Sequence, residues 1–386
     1  MGTTEPEPRS GSSPATASYP QWFLLAPYRE LDATDSASFD AETLAASRTS
    51  CGYSTYVSLR RAAPPAVSRI CVRHPRVTGS HATVVAAHGD SVLIHALPNY
   101  TFHERPCAHF IYKLSAAAAA ADGHHRPPRS PSLFLLPPFC FTTRGWLARN
   151  ATGLFRRGDD DLVVVLLRLV EEEEEASAAG DAPPTLEKKK KKAELVLLRS
   201  GEWSVERPRI VLQDQEDDDD AASFERDALL SAWETNAVVP AGGRHLCWID
   251  LYLGVLLFEV FDDDVGTALL RHVRFPAEAA ARPHPDRTSW RVCVTARGAV
   301  KLVNIFPCRR CSSCGCGSSE EHACSTVNTW TLQTTTMAWV MDTVVDDSTE
   351  LWALDEYKGA ARVQLLCPVV SDSVVPDQQS AARAEV

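Results

Sequence analysis

The sequence predicts an all-β fold: one β-propeller-like domain of about six blades, with long disordered loop insertions. Three observations lead there. At least fifteen short runs rich in Val, Leu, Ile and aromatic residues are punctuated by Gly, Pro, Asp or Ser, while helical periodicity is scarce. Apolar residues are 45% and charged residues 23% of the chain, enough to bury a sizeable core. Trp203, Trp248, Trp290 and Trp330 follow one another at 45, 42 and 40 residues, close to the roughly 40–45 residues of a four-stranded blade. Radial repetition of blades also protects the many sheet edges that so many strands create.

Taken in order, residues 1–18 are polar and Pro/Ser-rich and read as a disordered tail. Ordered sequence begins near Trp22-Phe23-Leu24-Leu25 and the single domain extends over 19–372, leaving 373–386 as a second tail. Strands are expected at Arg69–Val72, Ala82–Ala87, Val92–Leu97, Phe110–Leu114, Ser132–Leu136, Leu162–Val170 and Glu194–Arg199. They continue at Leu246–Asp250, Gly254–Phe261, Leu269–Phe275, Arg291–Thr295, Val300–Phe306, Thr326–Thr334, Glu350–Leu354 and Arg362–Leu366. Trp330 and Leu332 alternate with Thr329, Thr331 and Gln333, the pattern of a half-buried strand. Short helices are expected at Asp40–Ala46 and at Ser223–Trp233, with Ser223 as N-cap. Ala116–Ala121, beside Gly123-His124-His125-Arg126-Pro127-Pro128, reads as an inserted loop. Residues 171–192, 213–222 and 307–325 have no apolar periodicity and read as surface excursions.

Net charge is −11, but Asp159–Asp161, Glu171–Glu175, Glu216–Asp220 and Asp262–Asp264 hold sixteen of the fifty acidic residues. The acidity is thus concentrated in self-repelling, solvated runs, and no clustered Arg/Lys surface with interleaved aromatics suggests nucleic acid. The first residues lack a basic region followed by an apolar one, which predicts no secretory signal. The apolar runs Leu162–Val170 and Leu251–Phe261 are shorter than the about 20 residues a bilayer requires. The expectation is an intracellular protein, cytoplasmic or nuclear, with its cysteines mostly thiols, no membrane partner and no disclosed oligomeric state.

The most organised stretch is RHLCWIDLYLGVLLFEVFDDD, residues 244–264. It reads as a hairpin of Leu246–Asp250 and Val255–Phe261 joined through Leu251–Gly254. Trp248 supplies the buried face, Asp250 a carboxylate for the turn's backbone N–H groups, and Gly254 a residue tolerant of positive φ. This stretch resembles the plant "domain of unknown function 1618" family, which is greatly expanded in grasses. Leu270-Arg271-His272-Val273, Arg291–Thr295, Val300–Val303, Thr329-Trp330-Thr331-Leu332, Trp339 and Leu351-Trp352 also look like its pattern, placing the named domain at roughly 247–370. Pro131–Pro138 and Leu197–Trp203 are similar to its N-terminal region. The resemblance implies a β-rich, propeller-like fold and brings no catalytic residues. Leu197–Trp203 also resembles plant F-box-associated propellers, although residues 1–50 show no F-box pattern.

Candidate chemistry is sparse. CRRCSSCGCGSSEEHAC, residues 308–324, offers Cys308, Cys311, Cys314, Cys316, His322 and Cys324. Structural zinc takes four such ligands in a tetrahedron, and flanking strands would make this loop a hairpin tip. The overlapping CxxCxxCxC lacks two separated CxxC units and sits in a Ser/Gly/Arg-rich insertion, so a solvated loop is the favoured reading and no metal or other cofactor is assigned. Lys188–Lys192 reads as a solvated run balancing Glu171–Glu175 rather than a nuclear-import or phosphate patch. His245, Cys247 and Asp250 do not form a catalytic set, because strand alternation puts Asp250 on the other face. No catalytic residue is assigned; Trp248, Asp250, Gly254 and Trp330 stand as structural motif residues. The expected function is a non-enzymatic module that binds another protein. The alternatives are a zinc-stabilised recognition protein using 308–324, or an enzyme with a central propeller pocket.

Overall fold

The computed structural model describes residues 24–26, 39–62, 67–74, 81–97, 108–114, 130–139, 147–158, 161–171, 190–213, 220–261, 268–280, 290–294, 298–307 and 325–345. They form an all-β fold of five sheets laid down in chain order. The first contains β1 (Leu24–Leu25), β2 (Ala45–Arg48), β3 (Ser54–Arg60) and β4 (Val67–Arg73), in the spatial order β1-β4-β3-β2. The second is a simple meander of β5 (His81–His88), β6 (Ser91–Leu97), β7 (Ala108–Lys113) and β8 (Ser132–Leu135). The third is a meander of β9 (Thr152–Arg157), β10 (Asp161–Glu171), β11 (Lys191–Arg199) and β12 (Glu202–Glu206). The fourth begins with β13 (Arg209–Leu212), which is followed by helix α1 (Asp220–Ala232). It continues with β14 (Ala237–Ala241), β15 (His245–Asp250), β16 (Gly254–Glu259) and β17 (Leu269–Val273), and β13 lies parallel to β17 at its edge. After the short helix α2 (Ala277–Ala280), the fifth sheet is a meander of β18 (Trp290–Val294), β19 (Val300–Pro307), β20 (Ser325–Gln333) and β21 (Ala338–Val345).

Side-chain alternation explains how the sheets stack. Along β10, Val163, Val165 and Leu167 enter the core shared with the fourth sheet, while Val164 and Leu166 enter the core shared with the second. Along β15, Leu246 and Trp248 face the third sheet, while Cys247 and Ile249 face the fifth. A strand buried on both faces needs a continuous apolar run, which is what LVVVLL and the stretch beginning HLCWI supply. The first and second sheets share a further core of Val57, Leu59, Ile70 and Val72 with Ile94, Phe110 and Tyr112. The fifth sheet is different: Trp330 and Leu332 are buried against the fourth sheet, while Lys301, Thr329 and Thr331 on its far face are only half-buried. Close approach between the third and fourth sheets requires Gly153, where a Cβ would come within 2.7 Å of Leu246 Cδ2.

Several sequence expectations change. Asp40–Ala46 is a turn followed by β2, not a helix. Asp40 Oδ1 accepts the Glu42 N–H at 2.9 Å. Thr43 Oγ1 accepts the Leu59 N–H at 3.0 Å and donates to the Leu59 carbonyl at 3.1 Å, drawing the chain onto β3. Tertiary pairing therefore overrides local helix propensity. The helix expected at Ser223 starts earlier, at Asp220, so Ser223 lies inside it and the 213–222 excursion is shorter than expected. The 171–192 excursion is also trimmed, because Glu171 and Lys191 pair at the open end of the β10–β11 ladder. The four tryptophans do not occupy equivalent strands: Trp203 lies in β12, Trp248 in β15, Trp290 in β18 and Trp330 in β20. Their spacing is therefore not the repeat of the sheets. The strands expected at Glu350–Leu354 and Arg362–Leu366, the Ala116–Ala121 loop and the two tails lie outside the described residues.

Candidate functional site

The expected hairpin forms, with β15 and β16 joined by residues 251–253. Asp250 is 1% exposed and organises this turn. Its Oδ1 accepts the Tyr252 and Leu253 N–H groups at 2.7 and 3.1 Å, and its Oδ2 accepts the Glu234 N–H at 2.7 Å. One carboxylate thus ties the β15–β16 turn to the chain leaving α1. Gly254 has φ 126°, and a Cβ there would meet the Val273 carbonyl oxygen at 2.3 Å, so the close β16–β17 crossing requires glycine. Trp248 is fully buried and donates its indole N–H to the Ala151 carbonyl at 2.8 Å, fastening the fourth sheet to the turn before β9. Trp330 is buried in the core between the fourth and fifth sheets.

The arrangement around Asp250 opens a cleft of about 410 Å³. Leu212 from the end of β13, Ala228 and Leu229 from α1, Leu253 from the turn, and Phe275 after β17 supply apolar walls. Tyr252, His272, Arg274 and Glu225 complete the lining, and the Arg274 guanidinium pairs with the Glu225 carboxylate. Helix α1 reaches this position because Leu229, Leu230 and Trp233 are buried in the core between the third and fourth sheets. Its outer side carries Phe224, 79% exposed and one helical turn from Ala228, and Tyr252 is 59% exposed on the turn. Both are large rings left in water.

His272 is the one lining residue whose polar ring is held out of water, at 4% exposed. Its Nε2 lies 3.0 Å from the Leu253 carbonyl, which can only accept, so Nε2 carries the hydrogen and Nδ1 is the acceptor. Nδ1 is buried and has no hydrogen-bond partner. Burial lowers the pKa of His272 from its ordinary value, against smaller opposing effects of the Leu253 hydrogen bond and the Asp250 charge, so the ring is held neutral. Trp233 packs edge-on against it with ring centres 6.2 Å apart.

The other sequence candidates have separate places. Cys247 is fully buried, and burial pushes its thiol well above its ordinary pKa, the reverse of what a nucleophilic thiolate needs. His245 Nε2 sits 3.9 Å from Glu259, whereas Asp250 is committed to backbone N–H groups, so the three do not converge. Cys308, Cys311, Cys314, Cys316, His322 and Cys324 lie outside the described residues; the hairpin expected around them is present, with Pro307 paired to Ser325. Among the described residues no group of three His, Cys, Asp or Glu side chains is placed to hold a metal ion. His124, His125 and Lys188 are likewise outside the described residues. Lys190 is exposed and pairs with Asp227 at 3.2 Å, and the half-buried Lys191 donates to the Ser231 carbonyl at 3.2 Å. Both tether β11 to α1. No helix among the described residues is long and apolar enough to cross a membrane.

Sequence reasoning found Asp250 and Gly254 but missed the cleft that they shape. Its walls come from four separate segments between 212 and 275, and the only local signals were an aromatic residue in the turn and Phe224 on the polar side of α1.

Fold and site together define a class: an all-β protein of serially stacked sheets, with an apolar cleft on the fourth sheet. Residues 248–377 match the family model described as "Protein of unknown function (DUF1618)", a match that begins at the buried Trp248. No curated protein and no solved structure matches the chain.

Proposed function

We propose that this protein is a non-enzymatic protein-interaction module on a β-propeller-like scaffold, and that the α1 cleft is its binding surface. The observation that carries the reading is the apolar cleft flanked by exposed Phe224 and Tyr252 with the Arg274–Glu225 pair at its side. Aromatic and arginine side chains around an apolar centre are the composition of protein-binding hot spots. The scaffold reading is supported by one edge strand from each of the second to fifth sheets: β5 contacts β9, β9 contacts β14, and β14 contacts β18. Edge strands of successive sheets lying side by side are what radially arranged blades produce.

The test is affinity purification of the full chain from an extract of its source tissue, beside a Phe224→Ser, Tyr252→Ser double variant. Both side chains are exposed, so the variant should keep the wild-type circular dichroism and melting temperature. The expected result is a defined set of proteins retained by the wild-type chain and lost from the variant. Identical sets for the two chains, with the fold intact, would overturn the reading.

A further inference from the structure

The first sheet has two unlike sides. Val57 and Leu59 of β3 and Ile70 and Val72 of β4 enter the core shared with the second sheet. Alternation turns Tyr56, Ser58 and Arg60 of β3, and Arg69, Cys71 and Arg73 of β4, to the opposite side. The antiparallel register sets these six in facing pairs: Arg60 with Arg69, Ser58 with Cys71, and Tyr56 with Arg73. Arg73 is held on this side by its guanidinium, which lies over the Tyr56 and Phe39 rings at 5.5 and 5.2 Å from their centres. Cys71 is a free, half-buried thiol. Arg69 and Arg73 lie two residues from it along the strand in either direction, and Arg60 lies diagonally across. None of the four strands of this sheet contains an Asp or Glu, although the whole chain carries a net charge of −11.

Ser58 is a second, independent sign of a ligand. It is 0% exposed, and its Oγ has no hydrogen-bond partner. Side chains directly opposite in a ladder stand about 5 Å apart at Cβ, so this hydroxyl faces Cys71 across one strand spacing. A buried hydroxyl left unpaired costs free energy, and a polar group bonded to the Cys71 sulfur would bring it a partner. We propose that Cys71 is a modification site that exchanges with anionic disulfides, small disulfides of the oxidised-glutathione class that carry carboxylates. The Cys71 sulfur gives up its proton and attacks one sulfur of the disulfide. A new S–S bond to Cys71 forms, and the S–S bond of the small disulfide breaks. The departing half leaves as a thiolate and takes up a proton. The Cys71 sulfur is thus oxidised as the departing thiol is reduced, and no further oxidant is consumed. The arginines draw the carboxylates in, and the Ser58 hydroxyl donates to an acceptor on the half that stays. This site lies on the first sheet and does not depend on the α1 cleft.

The experiment treats the full chain with two disulfide reagents: dithiobis(nitrobenzoate), which carries a carboxylate on each ring, and dithiodipyridine, which carries none. Peptide mass spectrometry follows Cys71 beside Cys51, an exposed thiol in the turn between β2 and β3. For each cysteine, the rate with the charged reagent is divided by the rate with the uncharged one, which removes differences in accessibility. That ratio should be about tenfold larger for Cys71 than for Cys51 at low salt, the lower end of electrostatic steering. It should fall at least about threefold in about 1 M salt, where charges are screened within about 3 Å. Arg73→Gln should lower the ratio, whereas Arg61→Gln should not, because Arg61 pairs with Asp40 and Glu42 instead. With oxidised glutathione as the reagent, Ser58→Ala should move the exchange equilibrium at Cys71 about fivefold toward the free thiol, the size of one net hydrogen bond. A ratio no larger for Cys71 than for Cys51, a ratio indifferent to salt or to Arg73→Gln, or an equilibrium unmoved by Ser58→Ala would overturn the assignment. The comparison of the two cysteines and its salt dependence use the wild-type chain, so they decide the matter even if a variant fails to fold.

Discussion

Asp250 holds three backbone N–H groups with two oxygens while 1% exposed. Its removal strands three donors inside the protein at the joint between the turn and the α1 exit. Asp250→Ala is expected to destabilise the fold by about 3 kcal/mol, the scale of losing a buried charged acceptor whose donors stay behind. Urea unfolding would measure it, with an unchanged m-value identifying a loss of stability rather than of compactness. This role was legible in the sequence, because an Asp ahead of a Gly-ended turn has few other uses for its carboxylate. His272 was not legible. An Arg-His-Val strand end says nothing of which ring nitrogen finds a partner, since the carbonyl that engages it lies 19 residues away.

At the level of elements, α1 has one packed side and one side left in water. Leu230 is 6% exposed in the core between the third and fourth sheets, whereas Phe224 is 79% exposed. Leu230→Ala is expected to cost about 3 kcal/mol in a thermal or urea melt, within the usual range for a truncated core leucine. Legibility follows the same division. Strands buried on both faces, such as β10 and β16, announce themselves as unbroken apolar runs. β12, with Glu202, Ser204 and Glu206 among its five residues, and β9, with Gly153, Arg156 and Arg157 in six, escape the sequence reading because their neighbours specify them. The Asp40–Ala46 segment was misleading for the same reason: a buried Thr43 contact with β3 outweighs the helix preference of its Ala, Glu and Leu.

The whole molecule carries several histidines whose burial disfavours the charged ring. His95 and His109 stack at 4.7 Å between ring centres. Burial lowers His95 from 6.5 to about 4. Burial, with a smaller repulsion from His95, lowers His109 to about 3. His109 Nε2 accepts the Leu147 N–H at 3.2 Å, a bond that the protonated ring cannot make. His74, His88, His245 and His272 are lowered too, in each case chiefly by burial. The unfolded chain therefore binds more protons than the folded one, and stability rises with pH across the interval from the lowered values up to 6.5. On acidification from pH 7 to pH 5, His95 and His109 are each expected to withdraw about 2 kcal/mol. Melts at pH 7, 6 and 5 would check this: a melting temperature that fails to fall as the pH drops would refute it.

The parallel pairing of β13 with β17 has a consequence for synthesis. Arg209 aligns with Leu269, 60 positions later, whereas the remaining strands of the fourth sheet pair with their immediate successors. As the polypeptide leaves the ribosome, each of the second and third sheets can close as its own last strand emerges. The fourth cannot: β13 must wait, its ladder unmade, until β17 follows it out. Ribosomes slowing between Leu212 and Leu269 would hold that lone strand exposed, and this interval is where the nascent chain most needs protection from aggregation.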